Sequence, residues 1–154
     1  MKVKNTKKAF LWIINILQKH KIPYQVTGGF AAKIYGSKRK LADIDIPETK
    51  FKDIFGSVGK YAIFGPKQYK AEGFDVYLMT LKYKGQLIDI SGAGKCKIFD
   101  KVRKRWIKTP ANLNKFTLKK AFGKKVKVIT KKDLISYKSK LRRQVDKIDI
   151  ADLP

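Results

Sequence analysis

Apolar residues recur along this chain at two spacings, and the switches between them outline its elements. The run Phe10 to Leu17, interrupted by Asn15 and flanked by lysines, is too short to span a bilayer and predicts an amphipathic helix over Lys7–Lys19. A strand is expected at Tyr24–Thr27, a helix at Phe30–Tyr35, a strand at Asp43–Ile46 and a helix from about Lys50 to Lys60. The middle is richer in β-branched and aromatic residues. Tyr61–Phe64, Phe74–Tyr83 and Gln86–Ser91 read as strands, with Gly65-Pro66 and Lys84-Gly85 as turns, whereas Lys97–Ile107 fits neither period. Val126–Ile129 predicts one more short strand. Thr130 then stands at a helix start with Asp133 at the capping-box position, and Leu134, Tyr137, Leu141 and Val145 share a helical stripe suited to core packing. These elements predict an α+β fold, a mixed β-sheet with flanking helices. One domain is expected over residues 1–154, because no low-complexity linker divides the chain and its Ile-Asp-Ile triplets are too short and uneven to form a repeat.

Chemistry concentrates in two neighbouring segments. Val26-Thr27-Gly28-Gly29-Phe30 joins a strand to a short helix, where glycines let the backbone approach an anion and the free N–H groups of the helix start favour phosphate. Ala42-Asp43-Ile44-Asp45-Ile46 follows, and its alternation projects both carboxylates from one strand face while the isoleucines turn to the core. Adjacent carboxylates repel unless a cation lies between them. The two segments together therefore suggest a site for a metal-bound nucleoside triphosphate. A third acid in an apolar strand frame is Asp89, in Leu87-Ile88-Asp89-Ile90; Asp75 and Asp149 compete for that place. A hairpin around Lys84-Gly85 favours Asp89, Asp149 follows a helical segment, and Asp75 stays open.

The order Gly-Gly, helix, Asp-x-Asp, then an acid on a later strand resembles the nucleotidyltransferase fold of the DNA polymerase beta superfamily. The resemblance extends through Arg39 in the basic link to the tail Thr130 to Lys138, with Arg143, Asp146 and Asp149 after it. That tail is similar to the closing helices of small bacterial and archaeal members, including the lincosamide and aminoglycoside nucleotidyltransferases. It implies a metal-dependent enzyme that moves a nucleoside monophosphate from a nucleoside triphosphate, with ATP as the expected donor, to a hydroxyl. Asp43, Asp45 and Asp89 would then be catalytic and hold magnesium or manganese, with Asp89 as general base. Gly28 and Gly29 would cradle phosphates, and Arg39 and Lys138 would meet the departing pyrophosphate.

Charge changes the picture of the partner. Thirty-seven Lys and Arg residues against twelve acids give a formal net charge of +25, a field that accelerates encounter with polyanions. Lys101-Val102-Arg103-Lys104-Arg105-Trp106-Ile107-Lys108 offers Arg103, Lys104 and Arg105 as a nucleic-acid-binding patch. Tyr61, Tyr69, Tyr77, Tyr83 and Trp106, interleaved with basic residues, suit base stacking. RNA, such as a tRNA end, is thus the favoured acceptor. A protein hydroxyl, as in toxin and antitoxin systems of this fold, and an antibiotic are the alternatives, although cationic aminoglycosides would be repelled. An inactive basic RNA-binding module is a further alternative, disfavoured because carboxylates gain nothing from facing nucleic acid. One cysteine, Cys96, and one histidine, His20, cannot build a disulfide or a Cys/His zinc site. No signal-peptide cleavage site follows the first apolar run, and a cytoplasmic setting without membrane contact is expected.

Overall fold

The computed structural model describes residues 5–48, 50–109 and 112–154. Helix α1 (Thr6–Lys19) starts where Asn5 Oδ1 accepts the N–H of Lys8, and buries Ala9, Phe10, Ile13, Ile14 and Leu17 on one face. Strands β1 (Asp43–Glu48), β2 (Ala62–Ala71), β3 (Phe74–Tyr83) and β4 (Gln86–Asp100) form a sheet in the order β1-β4-β3-β2, with β5 (Arg105–Lys108) added to β4. Only β1 runs parallel to its neighbour; the remaining pairs are antiparallel. Ile44, Ile46, Ile88, Ile90, Met79 and Leu81 alternate out of β1, β4 and β3 into the same buried cluster as α1, which explains why this face is apolar.

Helix α2 (Gly28–Tyr35) precedes β1, and α3 (Phe51–Val58) follows it, ending in a 3₁₀ turn over Gly59–Tyr61. A separate hairpin of β6 (Thr117–Ala121) and β7 (Lys124–Val128) lies beyond β5. Helices α4 (Lys131–Leu141) and α5 (Gln144–Asp152) close the chain. Thr130 caps α4 through its Oγ1, which accepts the Asp133 N–H at 3.2 Å.

Four expectations change. Tyr24–Thr27 forms only isolated bridges, to Glu48, Val128 and Asp45, because the segment crosses between the two sheets and pairs with neither for long. Gly65 and Pro66 lie inside β2 rather than ending it; Gly65 has φ +72°, and a Cβ there would strike the Leu78 carbonyl, so a bulge replaces the turn. β4 continues to Asp100, and the ambiguous 97–107 segment is its hairpin with β5. The Leu134 to Val145 stripe is broken at Arg142, whose φ of 54° ends α4 and starts α5 in a new direction.

Candidate active site

Strand register builds the acidic cluster. Asp45 lies opposite Asp89 in the parallel β1–β4 pair, and Asp89 lies opposite Thr80 in the antiparallel β4–β3 pair, so all three project from one sheet face. Asp43 is two residues from Asp45 on that face. Carboxylate oxygens of Asp43, Asp45 and Asp89 lie within 4.8 Å of one another. Thr80 Oγ1 donates to Asp89 Oδ1 at 2.6 Å and fixes that carboxylate's rotation. Burial and then repulsion from Asp43 push Asp89 up to about 7, against the stabilising Thr80 bond. Asp45 is raised well above the ordinary carboxylate range by burial and by Asp43 and Asp89, with Lys138 and Arg143 opposing the shift. Three crowded carboxylates, with Asp45 and Asp89 resisting ionisation, fit hard divalent cations bound through oxygen.

The glycine turn is built against these acids. Gly28 has φ +66°, and a Cβ there would overlap Asp45 Oδ2, so the closeness of turn and acid demands glycine. Its N–H donates to the Tyr137 hydroxyl at 2.8 Å. At Gly29 a Cβ would lie 2.5 Å from Nη2 of Arg39, which places that guanidinium across the turn.

Behind the turn stands a buried ion network. Arg39 donates through Nε and Nη2 to the two oxygens of Asp149, each at 2.9 Å. Lys138, only 1% exposed, places Nζ 3.1 Å from Asp146 and 3.0 Å from Asp149. Arg143 binds Asp146 in a fork at 2.8 and 3.0 Å. Burial would raise Asp149, but Arg39, Ser37 and Lys138 outweigh it and hold the carboxyl down at about 2. Asp146 is lowered in the same way by Arg143 and Lys138.

The sequence-predicted residues therefore divide. The structure brings Asp43, Asp45, Asp89, Gly28, Gly29 and Arg39 to one place. Lys138 lies behind them, committed to two carboxylates. Asp149 is Arg39's partner on α5, and Asp75 accepts from Gln68 Nε2 at 2.7 Å on the β3 face opposite Thr80, so neither joins the cluster. Arg103 and Lys104 lie in the exposed β4–β5 turn and Arg105 opens β5, at the far end of β4 from Asp89, where Asp100 Oδ1 accepts the N–H groups of Val102 and Arg103. Thr80 was not singled out from sequence, and Arg143 was named only within the tail that carries the family resemblance. Thr80 was nonetheless within reach, since a two-residue turn pairing Tyr83 with Gln86 sets Thr80 opposite Asp89. Tyr137 carried only a core-packing signal.

This mixed sheet, with its acidic row beside a glycine turn and its two closing helices, has the fold of solved structures named as nucleotidyltransferases. The chain matches the crystal structure of a Thermotoga maritima protein, TM1012, described as a candidate nucleotidyltransferase, with a TM-score of 0.73 and 19% identity over 97% of this chain and 92% of that one. It also matches lincosamide antibiotic adenylyltransferase LnuA in its lincomycin-bound form, with a TM-score of 0.61 and 16% identity over 99% of this chain and 97% of that one. No family model and no curated protein matches the sequence.

Proposed function

We propose that this protein is a nucleotidyltransferase that moves a nucleoside monophosphate from a nucleoside triphosphate, with ATP the expected donor, to a hydroxyl of RNA. The observation that carries the reading is the convergence of Asp43, Asp45 and Asp89 at the foot of the Gly28-Gly29 turn. Both structural neighbours named as this class of enzyme support the transfer chemistry.

Asp43, Asp45 and Asp89 would hold magnesium or manganese, which supplies charge neutralisation to a bound triphosphate and acidifies an acceptor hydroxyl. The chain's own residues do the rest. Backbone N–H groups at the start of α2 hold the outer phosphates, and Arg39, lying across Gly29, meets the departing pyrophosphate. Lys138 acts one step back by holding Asp149, which in turn aims Arg39. Asp89, oriented by Thr80, takes the acceptor proton.

The RNA acceptor rests on the +25 charge and on the exposed Arg103, Lys104 and Arg105. Transfer to a lincosamide-like drug is the second reading, favoured by the likeness to LnuA. Incubation with magnesium, each α-labelled nucleoside triphosphate and total cellular RNA tests the proposal. Label on RNA supports it, label on protein or on an added lincosamide moves the acceptor, and label nowhere removes the activity.

A further inference from the structure

The sheet face that carries the acids continues past them. Register places Asp45, Asp89, Thr80 and Phe64 in one row across β1, β4, β3 and β2, because directly paired residues share a face. The following rows set Lys67 opposite Leu78 and Tyr69 opposite Val76 on that face. Lys82, two residues from Thr80 on β3, shares it too. Strands are about 4.8 Å apart, so Phe64 lies roughly 10 Å from Asp89. The rings of Phe64 and Tyr69 meet edge to face with centroids 5.8 Å apart, and Lys67 Nζ stands 4.7 Å from the Phe64 centroid. Helices α4 and α5 cover the β3 start, where Arg143 lies 4.8 Å over Phe74, but Tyr69 is 36% exposed and Lys67 and Lys82 are open.

Direction follows from the chemistry. In-line displacement forms the bond from the acceptor oxygen to the α-phosphorus as the bond to the bridging oxygen breaks; pyrophosphate leaves with that electron pair, and the acceptor proton passes to Asp89. The glycine turn holds the leaving side next to β1. The attacking side is therefore the β3–β2 side, where Phe64 and Tyr69 stand.

The geometry points to an acceptor subsite in which the terminal base of a single-stranded RNA stacks on Phe64 and Tyr69, while Lys67 and Lys82 meet its phosphates. Aromatic faces accept any base, and flanking ammonium groups suit a polyanion over a cationic drug or a folded protein side chain. The direction of approach rests on the nucleotidyl-transfer reading; occupancy of the subsite does not require turnover.

A binding measurement separates the two. A short oligoribonucleotide ending in 3′ 2-aminopurine, whose fluorescence falls on stacking, is titrated with the full chain without any nucleotide. Quenching is expected with the parent and with Tyr69→Phe. In Tyr69→Ala it should be lost, with affinity down at least about fivefold. Phe55→Ala serves as the control, since Phe55 is exposed on α3, whose Phe51 packs against Tyr77 on the opposite sheet face, and should quench like the parent. If Tyr69→Ala fails to fold, Tyr69→Leu, which keeps bulk without a π face, must show the same loss. No quenching by the parent, or equal quenching by parent and the folded Tyr69 variant, overturns the subsite. Failure of transfer with quenching intact instead overturns the function proposed above.

Discussion

Glu48 shows how much a single buried group can reveal. It ends β1 fully buried, its Oε2 accepts the Lys50 N–H at 2.8 Å, and its Oε1 has no hydrogen-bond partner among the described residues. Burial raises its pKa to about 7 from 4.5, against the Lys50 bond, with Asp53 adding repulsion. The folded form therefore holds its proton where the unfolded chain has lost it. Stability from this group is largest below about pH 4.5 and falls as pH rises to about 7, by roughly 3 kcal/mol. Glu48→Gln should remove that slope. Melting curves of parent and variant are expected to diverge in favour of the variant between pH 5 and 8; a constant gap would show that Glu48 ionises without cost. From sequence this residue was invisible, since an acid after Ile46-Pro47 reads as a strand end. Gly28 and Asp45 were legible as residue types, but the overlap that makes glycine obligatory depends on a distance between segments seventeen positions apart.

Among the elements, α4 and α5 show what periodicity conveys and what it omits. The helical stripe correctly marked Leu134 and Leu141 as core, and Thr130 as cap. It could not show that Lys138 turns inward between Asp146 and Asp149, because a lysine on a basic helix reads as solvated charge until a second helix supplies its partners. Likewise the hairpin of β3 and β4 was readable from its Lys84-Gly85 turn, whereas β6, rich in lysine, was not. Lys138→Met leaves two buried carboxylates short of a cation. It should cost about 3 to 5 kcal/mol, measured as a lower urea midpoint, because breaking a buried pair exposes the uncompensated charge. An unchanged midpoint would mean that Arg39 and Arg143 suffice. Acid should act on the same network: the stability that Asp149 contributes is complete above its unfolded pKa near 4 and is lost as pH falls through about 2.

At the scale of the whole molecule, charge sets the expected behaviour. A +25 chain that docks RNA through phosphates must lose affinity steeply with salt. Neutralising Arg103, Lys104 and Arg105 together should flatten the log–log slope by about 2, near 0.7 for each lost contact with a single strand. Transfer to a short acceptor should persist, because this turn lies at the opposite end of β4 from Asp89, and the defect should appear in KM rather than kcat. A triple variant with the parent's slope would reduce the turn to a solvated loop. Among the described residues, no helix is long and apolar enough to cross a membrane.

The central claim is that the acid row performs nucleotidyl transfer. Asp45→Asn removes one negative charge at nearly constant shape and relieves the repulsion that raises Asp45, so the fold should survive and could gain stability. The decisive measurement compares parent and Asp45→Asn, both confirmed folded by circular dichroism, for incorporation of α-labelled ATP into RNA with magnesium. The account predicts label with the parent and a loss of at least about a hundredfold in the variant. Equal incorporation by both proteins would contradict it.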